Sequence, residues 1–593
     1  MKSSCFIEKN GVPYIRIGDE ELPLAAYITY FEERNDYERF AELGFKIYSV
    51  TVSTSARPIN TSSGFMPYIS GIFDKRNEPD FSAVDSSVRK ILELCPDGYI
   101  FPRLYLTMPV WWCEEHPGEC ENTNDGLREC LYSEAFRHDC GEMLKKIIAH
   151  INRQDYADRI LGYQISGGNT QEWFHINRTT GSFTDAALPY FNKYLTENGY
   201  NLKPLSKMPS ELIVDGELRG EYSLAYADFA NDSVAETVNY FCRIAKEMTE
   251  YHQVVGAFYG YALEVVNPLE GTHALSKLLD SPYIDFFSSP NSYVNSRALG
   301  IDWGDMMPVD SIKLHGKVCF LECDIRTCNS LSPGESRVGA DPRNYYTNAV
   351  WRGPSTKELS AMAMRKCYAR QITHRHGFWW FDMFGKWYEG AELYQEAKKS
   401  LALLENSAER ALDFPTELAV FVDERAYKYQ KINSAESKAV YNIRTSLGAS
   451  GVSYHIYLIE DFDRVIRLEN SYKAFIFATT ESTNNINSAI NYCRKNDISY
   501  IKLTDEKYSF TADEWRSFAR ESGVHLYTMS GEDVIYVGAG LFALHAKEGG
   551  KKSVKLPRAV KVKELFSSTD FELTDQISFE ASEFETKIFE LIE

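Results

Sequence analysis

The sequence predicts an α/β protein: a (β/α)8 TIM barrel followed by a flavodoxin-like α/β domain and a small C-terminal antiparallel β domain. Up to about residue 390, eight strand-like runs alternate with helical patterns or long loops, which is the count that a (β/α)8 barrel requires. A shorter series of strand-like and helical runs follows. The tail alternates apolar and polar residues in short runs, as antiparallel strands do. The expected boundaries are residues 1–392, 393–532 and 533–593.

The eight runs of the predicted barrel are apolar and rich in β-branched or aromatic residues. They are, in order, Leu22–Phe31, Phe45–Val52, Tyr99–Leu106, Ile160–Ile165, Val254–Tyr261, Ile284–Ser288, Lys317–Cys323 and Gly377–Phe381. Long helical patterns such as Ser133–Ile151, Ala225–Tyr251 and Lys357–Thr373 separate them. A doubly wound open sheet is the alternative. It often carries a phosphate-binding glycine turn after its first strand, and the sequence has none there.

Five short strands are predicted beyond the helix Ala391–Leu412, and this number suggests a flavodoxin-like sheet. They are Leu418–Val422, Ser453–Leu458, Ala474–Ala478, Ser499–Leu503 and Val524–Thr528. The helical patterns between them are Ser434–Leu447, Ser482–Lys495 and Ala512–Glu521. Because no phosphate-binding motif accompanies these strands, we expect this domain to have a structural or oligomerisation role.

Composition and charge exclude several classes of protein. The chain has 593 residues, and 64 Lys and Arg against 84 Asp and Glu give a net charge of −20. Nucleic acids and anionic membranes require a basic surface, so we expect neither as the main partner. No apolar run reaches the ~18 residues of a transmembrane helix, and the N-terminus lacks the apolar segment of a signal peptide. We therefore expect a cytoplasmic protein.

Twelve cysteines are too few for a disulfide-stabilised scaffold of this length. Four of them, Cys113, Cys120, Cys130 and Cys140, cluster in the sequence but contain no C-x-x-C pair. Reduced thiols are therefore favoured over a zinc site, and whether these residues bind a metal stays open. No cofactor fingerprint is present, so no cofactor and no metal are expected.

Two glutamates stand where predicted strands of the barrel end. Glu172 follows the fourth strand, and Glu322 lies at the end of the seventh. Because active sites of such barrels form at the C-terminal ends of the strands, the two carboxylates can flank one bond, as glycoside hydrolysis requires. Asp324, two residues after Glu322, shares its face of an extended strand and is the main rival. Glu322 is preferred because it lies within the apolar run, where burial of a carboxylate costs free energy and therefore indicates a function.

The surrounding residues suit a sugar, because aromatic faces stack on sugar C–H surfaces and polar groups bind the hydroxyls. The candidate substrate-binding residues are Arg103, Trp112, Asn169, Trp173, Tyr293 and Trp380. For each tryptophan the alternative is packing within or around the barrel. Arg103 either pairs with a carboxylate in the mouth or ties the barrel internally. Asn169 either contacts a sugar 2-hydroxyl or is a turn residue, and Tyr293 is expected to hydrogen-bond the nucleophile and hold it ionised.

Four stretches of the sequence resemble the glycoside hydrolase family 42 β-galactosidases: Gly162–Trp173, Cys319–Thr327, Gly377–Gly390 and the tail Gly540–Leu556. The resemblance implies Glu172 as acid/base, Glu322 as nucleophile and a homotrimer built by the middle domain. One position departs from the family pattern, because Gln171 occupies the place of the Asn that usually precedes the acid/base. The family 164 β-mannosidases are similar in architecture.

The sequence thus predicts a retaining exo-β-glycosidase that acts on an oligosaccharide or β-glycoside, most closely similar to a β-galactosidase. A β-mannosidase of the same architecture is the alternative. A barrel that binds carbohydrate without catalysis, and a barrel of unrelated lyase or isomerase chemistry, are alternatives from other classes.

Overall fold

The computed structural model describes residues 2–59, 69–340, 351–410, 412–468, 472–567 and 569–592. Eight parallel strands form a closed ring, which confirms the predicted barrel. Numbered 1 to 8, they are Ala25–Ile28, Ile47–Ser49 continued by Thr51–Ser53, Tyr99–Ile100 continued by Arg103–Leu106, Gly162–Gly167, Val254–Ala257, Phe286–Phe287, Val318–Cys323 and Gly377–Phe381.

Strands 2 and 3 are each interrupted, and their halves complete the ring. The first halves pair with each other through Ile47 and Tyr99, and the second halves through Thr51 and Arg103. Pro102 lies at the break in strand 3, where its missing N–H cannot take part in a ladder. Strand 8 pairs with strand 1, so the sheet has no open edge.

Aromatic rings fill the lower half of the barrel. Phe101, Phe286 and Phe320 contact one another edge to face, with ring centroids 5.3 to 6.1 Å apart. Phe6 packs on Phe286 from below, and Trp379 packs on Phe320 at 4.8 Å from above. Edge-to-face contacts of this kind are favourable beyond the area they bury. The core therefore forms a solid floor under the mouth of the barrel.

A three-stranded antiparallel sheet, missed by the sequence prediction, covers the lower end of the barrel. Its strands are Ser4–Lys9, Val12–Ile17 and Glu20–Pro23. The backbone N–H of Ser4 donates to His252 O at 2.7 Å, just before strand 5. The predicted single strand Leu22–Phe31 is wrong in this respect, because the chain passes from this sheet into strand 1 within that run.

Helices surround the barrel between and beyond its strands. Those of the described residues up to residue 407 are Tyr37–Glu42, Ser82–Leu94, Val110–Glu115, Glu134–Ile151, Ala187–Glu197, Glu221–Met248, Ser276–Leu279, Val309–Leu314, Pro333–Ser336, Lys357–Thr373 and Ala391–Ser407. Within the described ranges, no helix combines the length and the apolar character needed to cross a membrane.

A parallel sheet of four strands follows the barrel, in the order 2-1-3-4 of a flavodoxin-like domain. Its strands are Leu418–Val422, Tyr454–Leu458, Ala474–Phe477 and Ser499–Lys502, and its helices are Ala439–Gly448, Phe462–Val465, Asn484–Lys495 and Ala512–Ser522. The predicted fifth strand, Val524–Thr528, is wrong. There the backbone of Tyr527 donates to Gly451 and accepts from Lys555, so it bridges to the last sheet instead of extending this one.

The C-terminal part forms a five-stranded antiparallel sheet, as predicted. Its strands are Val534–Gly538, Leu541–His545, Gly550–Glu564, Asp570–Ala581 and Thr586–Ile592. The sheet is tied to the chain that leaves the barrel, because Arg410 Nε donates to Glu590 Oε1 at 2.8 Å. It also packs on the helix Lys357–Thr373 and reaches the loop after strand 6, where the backbone N–H of Gly300 donates to His545 Nε2 at 3.0 Å.

Candidate active site

Glu322 lies on strand 7 and points into the mouth of the barrel. Successive residues of a strand face opposite sides, so Glu322 and Asp324 share the inward face with Phe320 of the core. Glu322 is 3% exposed. Arg103 of strand 3 pairs with it, with 3.7 Å between Nη1 and Oε2. Arg103 also donates to Ser166 Oγ at 3.3 Å, so strands 3, 4 and 7 meet through this guanidinium.

Burial is the largest influence on the Glu322 carboxyl and raises its pKa well above the ordinary value. The negative charges of Asp324 and Glu172 raise the pKa further, whereas Arg103 and Arg326 oppose the shift. Because the charge of Glu172, on the loop after strand 4, raises the pKa of Glu322 on strand 7, the two carboxyls influence each other across the mouth of the barrel. Two such carboxyls do not ionise independently, because the first charge disfavours the second.

Glu172 lies on the loop after strand 4, where two hydroxyl groups hold its carboxyl. Thr170 Oγ1 donates to Oε2 at 2.6 Å, and the Tyr261 hydroxyl donates to Oε1 at 2.8 Å. Burial raises the pKa of Glu172, and these two hydrogen bonds, together with Arg103 and Arg178, oppose that shift. Because burial outweighs these opposing contributions, the net direction favours a proton on Glu172.

The loop that carries Glu172 has a backbone unusual for its sequence. Thr170, Gln171 and Trp173 have φ values of 59°, 68° and 61°, in the left-handed region that L-residues avoid. Gly168 precedes them at φ 67°, and a Cβ there would lie 2.3 Å from Phe174 O, so only glycine fits. Such a loop persists only when its surroundings hold it in place.

Asp324, the rival nucleophile, is fully engaged. Arg297 Nη1 lies 2.5 Å from its Oδ1, Arg326 pairs with its Oδ2, and the Tyr293 hydroxyl donates to Oδ2 at 2.8 Å. The expected hydrogen bond from Tyr293 to Glu322 is therefore wrong, because the tyrosine reaches the carboxylate two residues further along. A carboxylate with two cations and a hydroxyl on it is a poor nucleophile, which favours Glu322.

Three predicted tryptophans face away from the mouth. Trp112 donates to Asp139 Oδ2 at 2.8 Å on the helix Glu134–Ile151, and its ring stacks on His116. Trp173 donates to Ile165 O at 3.1 Å and stacks on Phe241 of the helix Glu221–Met248.

Trp380 has an outward-facing position on strand 8. It donates to Ser400 Oγ at 3.2 Å on the helix Ala391–Ser407. All three tryptophans are thus packing residues between the barrel and its helices, which was the alternative that the sequence left open. The prediction that these three tryptophans lie at the mouth is therefore wrong. Successive residues of a strand point to opposite faces, and a loop can turn either way, so the position in the sequence does not by itself decide where a side chain points.

Trp379, the neighbour of Trp380, faces inward instead. It is paired in register with Glu322, and its ring packs on Phe320 and lies 6.3 Å from Phe258. Its buried Nε1–H has no acceptor among the described residues, which suits a ligand hydroxyl at the mouth. Sequence reasoning missed this role, and it missed Tyr261. The inward face of strand 8 was the available signal for Trp379.

Asn169 is buried in the same loop as Glu172. Its Nδ2 donates to Ile176 O at 3.2 Å, and its backbone N–H donates to Phe174 O at 2.9 Å. These contacts fit the turn residue that the sequence left as an alternative.

In the part of the chain that the structure describes, no group of three His, Cys, Asp or Glu residues is arranged to hold a metal ion. Cys113, Cys120, Cys130 and Cys140 are buried free thiols.

The whole fold is that of the glycoside hydrolase family 42 β-galactosidases. No protein-family model and no curated protein sequence matches the chain. A β-galactosidase from Bacillus circulans sp. alkalophilus superposes with a TM-score of 0.65 at 11% identity, covering 96% of this chain and 99% of that one. A GH42 β-galactosidase from G. stearothermophilus gives 0.59 at 10% identity, covering 96% and 98%. An exo-carrageenase GH42 from Bacteroides ovatus gives 0.60 at 11% identity, covering 99% and 84%. At these identities the likeness is one of fold.

Proposed function

We propose that the protein is a glycoside hydrolase: a retaining exo-β-glycosidase that releases terminal β-linked sugars, in the manner of a β-galactosidase. The observation that carries the proposal is the pair of glutamates at one barrel mouth: Glu172, half-buried and held by two hydroxyls, and Glu322, buried and facing Arg103. Solved proteins of the same fold that are named β-galactosidases support the choice of sugar, and one that is named an exo-carrageenase supports the exo mode.

The different surroundings of the two carboxyls support different roles. Because the pair does not lose both protons easily, one proton stays on it near neutral pH. Among the described residues, Glu322 has a cation at ion-pair distance, Arg103 at 3.7 Å, and Glu172 has none. A negative charge is therefore better compensated on Glu322, even though burial and Asp324 raise the pKa of Glu322. We therefore assign the proton to Glu172 and the charge to Glu322, the arrangement that a general acid and a nucleophile need.

The reaction proceeds in two displacements. Glu322 attacks the anomeric carbon while the glycosidic C–O bond breaks, and Glu172 gives its proton to the departing oxygen. Water then loses a proton to Glu172 and attacks the same carbon, which frees the sugar and restores the Glu322 carboxylate. Trp379 offers its unpaired Nε1–H and its ring face to the sugar, and Arg103 favours the charged form of Glu322 by opposing the rise in its pKa.

A panel of nitrophenyl glycosides tests the proposal, with β-galactoside, β-mannoside, β-glucoside and α-galactoside members. We expect hydrolysis of a β-glycoside with retention of anomeric configuration, followed by NMR. A fluorinated glycoside of the preferred sugar should label Glu322, which peptide mass spectrometry identifies. Inversion, or absence of turnover with every member while sugars still bind, would overturn the proposal in favour of other chemistry or of a binding protein.

Three further statements stay predictions: the homotrimer, which the resemblance implies, and the cytoplasmic location and the domain boundaries at residues 392 and 532, which come from the sequence pattern. Sedimentation of the purified chain measures the first. Expression of residues 1–392 tests whether the barrel folds without its companions.

A further inference from the structure

Arg444 connects the flavodoxin-like domain to the barrel at a buried position. It lies on the helix Ala439–Gly448 and is 3% exposed. Its Nη2 donates to Leu263 O at 2.7 Å and to Glu264 Oε2 at 2.9 Å. Its Nη1 donates to Asp305 O. One guanidinium therefore holds the loop after strand 5 and the loop after strand 6 at the same time.

Glu264 extends this connection from one loop to the other. Its second oxygen, Oε1, accepts hydrogen bonds from Ser292 Oγ at 3.0 Å and from the backbone N–H of Tyr293 at 3.1 Å. Both oxygens of the carboxylate are thus used, one by the flavodoxin-like domain and one by the barrel loop. Charge-assisted hydrogen bonds of this kind are among the stronger ones in proteins.

The two loops carry the tyrosines that touch the carboxylates of the site. Tyr261, two residues before Leu263, donates to Glu172, and Tyr293 donates to Asp324 beside Glu322. Arg444 therefore contacts the chain two residues after Tyr261 directly, and it reaches the backbone of Tyr293 through Glu264.

The loop after strand 6 depends on such support, because its backbone is strained. Asn295, Ser296 and Arg297 have φ values of 44°, 55° and 56°, three consecutive L-residues in the left-handed region. This backbone is unfavourable for L-residues, so the loop keeps its shape only while its contacts hold it. Arg297, the last of the three, pairs with Asp324 and donates to Asn291 O at 2.6 Å.

We propose that Arg444 is a positioning residue for the barrel's active site: acting through Glu264, it fixes the loops that place Tyr261 and Tyr293 on the two carboxylate clusters. The proposal rests on the proposed function for its kinetic consequence. The geometric part, that Arg444 orders the loop Ser292–Arg297, is independent of it. Sequence analysis assigned the flavodoxin-like domain a structural or oligomerisation role only.

Arg444→Met tests the proposal, with Arg516→Met as matched control. Arg516 is a buried arginine of the same domain that donates to Ala449 O and Gly531 O and pairs with Asp513, so its loss disturbs the domain without touching the loops. We expect R444M to lower kcat about 10- to 100-fold, as small misplacements of catalytic groups do, with a much smaller change in KM. R516M should lower thermal stability and keep kcat.

The pH profile gives a readout that general destabilisation would not produce. The charged and titratable groups that act on Glu322 come from several sides of the mouth: Tyr30, Arg103, Glu172, Tyr261, Tyr293, Asp324 and Arg326. When the loop loosens, Arg297 compensates Asp324 less, and the freed charge of Asp324 raises the pKa of Glu322. Activity that needs ionised Glu322 is then lost at a higher pH, so the acidic limb of kcat/KM should move upward in R444M and stay in place in R516M.

Hydrogen exchange measures the loop without any substrate. In R444M the amides of Ser292–Arg297 should exchange at least about tenfold faster than in the wild type, and in R516M at the wild-type rate. R444K, which keeps the charge opposite Glu264, should restore part of both effects. Unchanged exchange and kcat in R444M, or equal changes in R444M and R516M, would overturn the proposal. Faster loop exchange in a protein whose wild type hydrolyses no glycoside would support the positioning and reject the proposed function.

Discussion

The end of strand 7 and the loop after strand 4 each supply one glutamate to the same mouth, but they hold it by different means. Glu322 sits in a regular ladder, where its N–H donates to Ser289 O at 2.9 Å and its neighbour across the pair is Trp379. Glu172 lies in an irregular loop with left-handed residues on both sides. The strand fixes Glu322 by its backbone, whereas hydroxyl groups fix Glu172 by its side chain.

This difference also sets the electrostatics of the two positions. The inward face of strand 7 continues from Glu322 to Asp324 and brings the cations Arg103, Arg297 and Arg326 around them. Glu172 receives hydrogen bonds from neutral donors instead, Thr170 of its own loop and Tyr261 of the loop after strand 5. A charged environment suits a group that must stay ionised, and a neutral one suits a group that must exchange a proton.

The largest expected effect separates the two glutamates directly. Glu322→Ala should abolish turnover of every substrate, with a loss of more than about 10⁴-fold in kcat, because no nucleophile replaces it. Glu172→Ala should cost about 10²–10⁴-fold on substrates with poor leaving groups and much less on dinitrophenyl glycosides, which need no acid. Steady-state kinetics on both substrate types measures this, with circular dichroism to confirm folding. Equal losses on both substrates in E172A would contradict the acid role.

Much of the regular part of this site follows from the sequence. The barrel count placed Glu172 and Glu322 at strand ends, and the inward face shared by Glu322 and Asp324 follows from the two-residue period of a strand. The preference for Glu322 over Asp324 agrees with the structure, since Asp324 carries two arginines and Tyr293. These features could be predicted because they depend on local sequence and on the regular alternation of side chains along a strand.

The irregular parts did not follow from the sequence. Nothing in Gly167–Trp173 signals that three L-residues adopt left-handed backbone and turn Trp173 outward against Phe241. The partner of Tyr293 depends on a long loop braced by Arg444 from another domain, a contact between residues far apart in the chain. Such contacts are set by tertiary packing, which single-sequence periodicity does not report.

Arg103 gives the second test, because it distinguishes the charged position from the neutral one. Arg103→Met removes the cation opposite Glu322, so the pKa of Glu322 should rise still further above its ordinary value. Ionised Glu322 is then lost at a higher pH, and the acidic limb of kcat/KM should move upward by about 1–3 pH units, the usual effect of a close opposite charge. The alkaline limb, which reports Glu172, should move less.

Arg103→Lys is the matched control for this variant, because it keeps the charge and loses only the fork geometry. Its acidic limb should lie between those of the wild type and R103M. An acidic limb that stays in place in R103M would mean that Arg103 only ties strands 3 and 4 through Ser166.

The smallest expected effect comes from comparing Trp379 with Trp380, consecutive residues of strand 8 that point to opposite faces of the sheet. Trp379→Phe removes the unpaired inward N–H and part of the ring face, so kcat/KM should fall about tenfold, the equivalent of ~1.4 kcal/mol. Trp380→Phe removes only the hydrogen bond to Ser400 outside the barrel, so it should leave kcat/KM within about twofold and cost ~1 kcal/mol of stability. Kinetics and thermal unfolding of both variants measure the two effects. The opposite result, with activity lost in W380F and kept in W379F, would show that strand 8 presents its other face to the substrate.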